Sequence, residues 1–185
     1  MGTTISLAGM VVGLLYSIKR ERTLPRLQLA YYPGIERLVD SGDYRQALDQ
    51  LGVAIHLDFL SRVRIYQEIA QIAMQAGELD DHIRACNALF EIGAADEVVR
   101  LNLASSLVIR GASGDHLQAE KLSRDLLEKF PGHPAVNCNL GAALLGQDQV
   151  DEAEKYFVRA LELKPGLLPA QAGLAKIRQV RESHE

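Results

Sequence analysis

Apolar residues beyond position 25 recur at three- and four-residue spacing, which is typical of amphipathic helices. The alternation of apolar and polar residues that indicates strands is missing from the same region. The helical pattern breaks at short turn signals, namely Ser41-Gly42-Asp43, Gly77-Glu78, Gly111 to Asp115, and Gln147-Asp148. Helices of about a dozen residues between such turns form helical hairpins, so the sequence predicts an all-α fold.

The hairpins recur along the chain at a fixed interval. Ala119-Glu120-Lys121 is matched by Ala153-Glu154-Lys155, which lies 34 residues later. In the preceding helices of the same two hairpins, Leu103-Ala104 and Leu140-Gly141 are 37 residues apart. We therefore expect the extra residues in the turn from Gly111 to Asp115. A period of this length is the signature of stacked repeats that bury a continuous core.

A unit of two helices with a 34-residue period resembles the tetratricopeptide repeat family. The best unit runs from Pro134 to Pro165. Gly141 and Ala153 are small where the two helices of a hairpin cross closely, and Pro165 cannot continue a helix. The family positions in this unit are Leu140-Gly141, Leu144, Ala153, Phe157, Ala160 and Pro165.

The resemblance implies a right-handed superhelical solenoid over residues 27–185, with about four hairpins and a capping helix. The expected units are 25–58 (degenerate), 59–93, 94–131 and 134–165, followed by the capping helix at 167–182. The unit 59–93 departs from the family pattern, because His82 stands where a small residue is expected.

The first 18 residues contain no charged side chain, and residues 19–26 carry a net charge of +3. A helix of 18 residues spans about 27 Å, close to the thickness of the hydrocarbon core of a bilayer. An apolar segment followed by basic residues favours an uncleaved transmembrane anchor (1–18) with a cytoplasmic juxtamembrane collar (19–26). The alternatives are a cleaved signal peptide and a buried soluble helix. We therefore expect a single-pass membrane protein with its repeats on the cytoplasmic side.

Small residues recur four positions apart within the expected anchor, at Gly9, Gly13 and Ser17. Such a stripe lets the backbone of another membrane helix come close. We expect it to pack on a membrane protein partner or on a second copy, although Gly is common in membrane helices and the spacing is also compatible with chance.

Net charge and the reactive side chains limit the remaining function classes. The chain carries −4 in total, so residues 27–185 carry −7, which disfavours nucleic acid as a partner. The cysteines, Cys86 and Cys138, are expected as small core or groove residues, and no spacing indicates a metal site, a catalytic triad or a phosphate-binding loop. We expect no enzyme activity, cofactor, metal or small-molecule substrate. Surface or turn positions are expected for His56, His82, His116, His133 and His184.

In the tetratricopeptide family a concave face lined by the first helix of each hairpin binds protein partners. Residues at i, i+3, i+4 and i+7 give the candidate groove. Asn102 and Asn139 hold equivalent places in adjacent units, and each is expected either to hold the backbone of a bound peptide or to bond a neighbouring helix. The groove candidates are Arg64, Gln67, Gln71, Leu101, Asn102, Ser105, Cys138, Asn139 and Ala142.

The layout of anchor, basic collar and repeats is similar to that of anchored bacterial inner-membrane repeat proteins. It indicates a membrane-tethered adaptor or scaffold that binds proteins for assembly or recruitment. A permanent accessory subunit of a larger membrane complex is the main alternative, and an enzyme or sensor with an unrecognised site is the other.

Overall fold

The computed structural model describes residues 34–35, 37–53 and 59–183. Within these ranges the chain is helical and contains no strand, which confirms the all-α prediction for this part of the chain. Residues 34–35 and 37–40 are helical. The helices that follow are α1 (Tyr44–Val53), α2 (Phe59–Ala76), α3 (Leu79–Glu91), α4 (Glu97–Arg110), α5 (Asp115–Lys129), α6 (Pro134–Leu145), α7 (Val150–Leu163) and α8 (Leu168–Glu182).

The expected anchor and collar, residues 1–26, lie outside the described residues. Among the helices of the described part, none combines the length and the apolar character that crossing a membrane requires.

Two compact units divide the chain, with the boundary between residues 88 and 89, inside α3. In the first unit α1 packs against α2. Ala47 and Leu51 of α1 are buried, because their spacing of four places both on one side of the helix. The apolar core of this unit consists of Ile35, Ala47, Leu48, Leu51, Ile65, Ile72 and Ala73.

The second unit holds two helical hairpins and a final helix. α4 packs against α5, α6 packs against α7, and α8 packs on both α6 and α7. The first helices of successive hairpins are also neighbours, since α6 contacts both α4 and α8. This stacking of first helices places their side chains on one continuous surface of the unit.

The α6–α7 hairpin crosses closely at Gly141, as the repeat pattern predicts. A Cβ atom at Gly141 would lie 3.0 Å from the Phe157 ring and 3.1 Å from the Ala153 carbonyl oxygen. The same ring covers Gly173 of α8, where a Cβ atom would lie 2.4 Å from it. Phe157 is 1% exposed and therefore fills the space that two glycines leave between three helices.

A left-handed residue recurs at the turn within each hairpin, at Gly42, Gly77, Gly111 and Asp148. Each lies inside a turn signal that the sequence indicates. Asp148 adopts φ +60° without being glycine, a conformation that Asp tolerates better than most residues. The backbone thus makes a similar reversal in every hairpin.

The extra residues of the earlier hairpin lie in the turn from Gly111 to Asp115, as predicted. The left-handed residues Gly111 and Asp148 are 37 residues apart, whereas Ala119 and Ala153 after the turns are 34 apart. Before this turn α4 ends at Arg110, whose guanidinium bonds the buried Asp115 carboxylate through Nε (2.8 Å) and Nη2 (2.7 Å). The Ala112 amide also donates to that carboxylate (2.9 Å). These bonds join the end of α4 to the start of α5.

Acidic residues open the second helices, as expected for favourable interaction with the positive end of a helix. Asp80 and Asp81 lie in the first turn of α3, and Asp151 and Glu152 lie in the first turn of α7. Helix formation therefore accounts for their positions.

Candidate functional site

The first helices of the two hairpins in the second unit are joined by side-chain hydrogen bonds. The Asn139 amide nitrogen donates to the Ser105 hydroxyl (2.8 Å) and, at 3.4 Å, to the Leu101 carbonyl oxygen. Ser105 donates to the same carbonyl oxygen (3.1 Å). Leu101, Ser105 and Asn139, which are all candidate groove residues, therefore lie together. Asn139 was expected either to hold the backbone of a bound peptide or to bond a neighbouring helix, and here it bonds the neighbouring helix α4.

Asn102 holds the equivalent place in α4 but has a different environment. Its half-buried side chain makes no hydrogen bond to any other residue that the structure describes. On the same side of α4, Val98 lies one turn before it and Ile109 two turns after it, and they are 63% and 69% exposed. We call Val98, Asn102, Ser105 and Ile109 the α4 seam. This seam offers a partner two apolar side chains with an amide between them.

The charged side chains of α4 are already paired within the second unit. Glu97 accepts a hydrogen bond from Lys129 (3.2 Å), and Arg110 bonds Asp115. The Arg100 guanidinium lies 4.7 Å from the centre of the Phe90 ring, which is a cation–π distance. Each charged residue of α4 therefore already has a contact within the second unit.

The groove candidates on α6 differ in exposure. Ala142 is half-buried, whereas Cys138 is 5% exposed and belongs to the core cluster that contains Phe157. Burial raises the pKa of the Cys138 thiol to about 11, so the thiol is neutral at pH 7. Cys138 thus fills the core and presents little surface to a partner.

In the first unit, the candidates Arg64, Gln67 and Gln71 are exposed on α2. Their spacing of three and four residues places them on one side of that helix. The predicted membrane-packing residues Gly9, Gly13 and Ser17 lie outside the described residues.

His82 and Cys86 form a buried pair that the sequence reasoning missed. His82 is 2% exposed, which overturns the expectation of a surface or turn position, and its Nε2 lies 3.5 Å from the Cys86 Sγ. Burial lowers the pKa of His82 and raises that of Cys86 to about 11, so both groups are neutral at pH 7. The pair therefore lacks the thiolate that a nucleophile needs. The spacing of four residues on one helix was the signal that could have revealed it.

Two other histidines lie at or near the turns: His133 is exposed, as expected, and His116 is half-buried. His133 precedes α6 as its N-cap, where its ring accepts a hydrogen bond from the Val136 amide (3.4 Å). The half-buried His116 ring lies against Gly146, since a Cβ atom there would come within 2.4 Å of it. His56 and His184 lie outside the described residues.

An open depression of about 510 Å³ lies on the opposite side of the second unit, along α7. Three of its four charged residues are paired: Glu152 with Arg124 (2.9 Å), Asp151 with Arg181 (2.8 Å) and Arg159 with Glu162 (2.9 Å). Among the described residues, no group of three or more potential ligands is arranged to hold a metal ion. The chemistry of this depression is that of a solvated ion-pair network. It is lined by Asn137, Asp151, Glu152, Lys155, Tyr156 and Arg159.

Residues 112–177 match the tetratricopeptide repeat family in sequence. No curated protein sequence matches the chain. Among solved structures, MamA from MSR-1 is similar, with a TM-score of 0.62 and 21% identity, covering 85% of this chain and 88% of that one. MamA from Desulfovibrio magneticus RS-1 gives a TM-score of 0.62 at 12% identity, over 84% and 96% of the two chains.

The first tetratricopeptide domain of Spaghetti (RPAP3), solved bound to the HSP90 peptide SRMEEVD, is also similar. Its TM-score is 0.53 at 23% identity, and the match covers 69% of this chain and 98% of that one. The tetratricopeptide fold is a scaffold for protein–protein interaction. Residues 112–177 therefore match the tetratricopeptide repeat family in sequence, and the fold over a larger part of the chain is similar to solved structures that include a tetratricopeptide domain.

Proposed function

We propose that this protein is a membrane-tethered adaptor that binds other proteins through the first helices of its repeats. The observation that carries the proposal is the surface formed by α4 and α6. There the Asn139–Ser105 hydrogen bond joins two first helices beside the exposed Val98 and the unengaged Asn102 amide. An amide that can both donate and accept suits a polypeptide ligand. The peptide-bound structure of the Spaghetti (RPAP3) domain supports protein binding by this fold.

The partner differs in chemistry from the acidic peptide SRMEEVD. The charges of α4 are paired internally, and Ala142 and Asn139 of α6 add none, so the surface offers no cluster of free cations to an acidic chain end. Apolar contact and amide hydrogen bonds are then the sources of affinity.

The support for tethering is the sequence of residues 1–26, with its charge-free run and basic collar. A tether at the membrane surface raises the local concentration of the binding surface around membrane partners, so a modest intrinsic affinity suffices.

Site-specific photo-crosslinking of the full chain in native membranes tests the binding surface. A photoreactive residue is placed at Asn102 or Ala142 on the first helices, and at Lys121 or Lys155 on the second helices. We expect partner adducts from the first-helix probes and at least tenfold fewer from the second-helix probes. Equal yields from both sets contradict the proposal. Adducts to one protein in a fixed stoichiometry that survives high salt indicate a permanent accessory subunit instead.

Membrane fractionation with an alkaline wash tests the tether separately. The full chain is expected in the washed membrane pellet, and a variant with Leu14→Arg and Leu15→Arg is expected in the supernatant, because charge in the apolar core is costly. A wild-type chain that is washed off contradicts tethering and leaves protein binding untouched.

A further inference from the structure

We propose that the α4 seam docks an amphipathic α-helix of the partner, with uncharged apolar residues against Val98 and Ile109 and a polar side chain opposite Asn102. The proposal rests on the protein-binding function proposed above and specifies the chemistry of the partner.

The residues of the α4 seam follow one another at intervals of four, three and four positions. This is the spacing of the a and d positions at which two helices pack along each other. In an isolated solvent-facing helix surface such positions are usually polar, yet Val98 and Ile109 are 63% and 69% exposed. The seam thus has the pattern of a helix-packing face, and in the part of the chain that the structure describes no helix covers Val98 and Ile109.

The length of the seam favours a helix over an extended segment. Val98 and Ile109 are eleven residues apart, which is about 16 Å along the axis of α4. A partner helix places two side chains on the same face at this same separation, eleven residues apart. In an extended segment, side chains on the same face that are four or six residues apart are separated by about 13 or 20 Å. Neither distance matches the separation of Val98 and Ile109.

The small residues beside the seam allow a partner helix to approach. Ser105 lies between the two apolar residues, and Ala142 of α6 is small and half-buried on the adjoining helix. Short side chains at a contact permit the shorter interaxial distances of packed helices. No charged residue of α4 is left without a partner, so the docked face of the partner is expected to be uncharged as well.

Asn102 gives the docking its register. The Ser105 hydroxyl of the seam already bonds Leu101 and Asn139, whereas a docked helix satisfies the Asn102 amide only when a polar group lies opposite, because an apolar residue there would leave it unpaired. Asn139 is less suited to fix the register, since its amide nitrogen already bonds Ser105.

Mapping of photo-crosslinks at single-residue resolution tests the inference. Photoreactive residues are placed at Val98 and at Ile109 in separate full-length chains in native membranes, and the partner residues joined to each are identified by mass spectrometry. We expect both adducts in one partner segment, about eleven residues apart. A separation of four to six residues indicates an extended segment and overturns the inference.

A probe at Leu117 of α5 is the matched control, because this apolar residue is 65% exposed but lies outside the seam. Adducts from Ala142 without any from Val98 or Ile109 overturn helix docking and leave the adaptor function standing. Absence of adducts from every first-helix position overturns both.

A charge placed in the seam gives a second test. Val98→Asp is expected to reduce the adduct yield from the Ile109 probe at least tenfold, whereas Leu117→Asp is expected to leave it unchanged. Circular dichroism verifies that both variants fold. An unchanged yield from the folded Val98→Asp variant overturns the inference.

Discussion

The Arg110–Asp115 pair should be the strongest single polar contribution to the stability of the second unit. The perturbation is a double-mutant cycle of Arg110→Ala, Asp115→Ala and their combination. Loss of one partner from a fully buried pair costs about 3–5 kcal/mol. Because the Arg110 side chain is 31% exposed and water can screen it, we expect about 2–3 kcal/mol for each single variant.

The double variant should cost less than the two single variants together. Arg110→Ala leaves the buried carboxylate with the Ala112 amide as a donor, and Asp115→Ala removes the acceptor that Arg110 and the Ala112 amide share. When both side chains are absent, no unpaired charge stays behind, so we expect a coupling energy of about 1.5–2 kcal/mol. The Asp115→Asn variant keeps an oxygen for the Ala112 amide and should lose only about 1–2 kcal/mol.

Urea unfolding of the full chain, followed by circular dichroism, measures these costs. Hydrogen exchange of the peptides that cover α4 and α5 assigns the loss to this hairpin. The control is Arg159→Ala, since Arg159 and Glu162 are both about half exposed and their removal should change stability by less than about 0.5 kcal/mol.

Acidification gives an independent check on the same pair. Hydrogen bonds from Arg110 lower the pKa of Asp115, although burial acts in the opposite direction. The stabilisation is therefore present above the pKa of an unfolded Asp, about 3.9, and is lost as the pH falls through the lower pKa of the folded state. A coupling energy near zero at pH 7 would refute the reasoning, because the network would then contribute no more than a surface pair.

Further predictions follow from buried groups. Phe157→Ala should destabilise the protein by about 3–5 kcal/mol, and Gly173→Ala should be better tolerated when combined with Phe157→Leu than alone, as thermal unfolding can show. Because burial lowers the pKa of His82, stability should fall as the pH drops below about 6.5. The urea midpoint of the His82→Gln variant should change less between pH 7.5 and 5.5 than that of the wild type, and an equal change refutes this. Cys86 and Cys138 should resist alkylation at pH 7.5 in the folded protein and react rapidly in urea, since burial raises the pKa of each to about 11; equal rates contradict the packing.

The repeat pattern was sufficient to predict the helices of the second unit and the close crossing of α6 and α7 at Gly141. Gly141 and Phe157 could be placed because the family spacing assigns one to a small contact position and the other to the space between hairpins. The spacing of the repeats also predicted that the α4–α5 hairpin is longer than the α6–α7 hairpin. It placed the extra residues in the turn from Gly111 to Asp115, but it could not show that the Arg110 guanidinium reaches the Asp115 carboxylate across that turn.

The candidate site was predicted only in part. The i, i+3, i+4 pattern brought Leu101, Ser105 and Asn139 to adjoining helices, but it assigned Asn102 and Asn139 the same role. Their difference arises from stacking, because the position of α6 beside α4 places a hydroxyl within reach of Asn139 alone. Cys138 shows the same limit, since a pattern along one helix does not reveal how deeply its neighbours cover a side chain.

The final helix restricts how this array can grow by duplication. Counted by the 34-residue period, Gly141 and Leu144 of α6 correspond to Ala175 and Arg178 of α8, and both of these are exposed. A further hairpin helix packed on α8 as α7 packs on α6 would have to bury the charge of Arg178, which is costly without a partner. Gene duplication or engineering can therefore insert a new repeat before α8, but a repeat appended after it would find no surface ready to receive it.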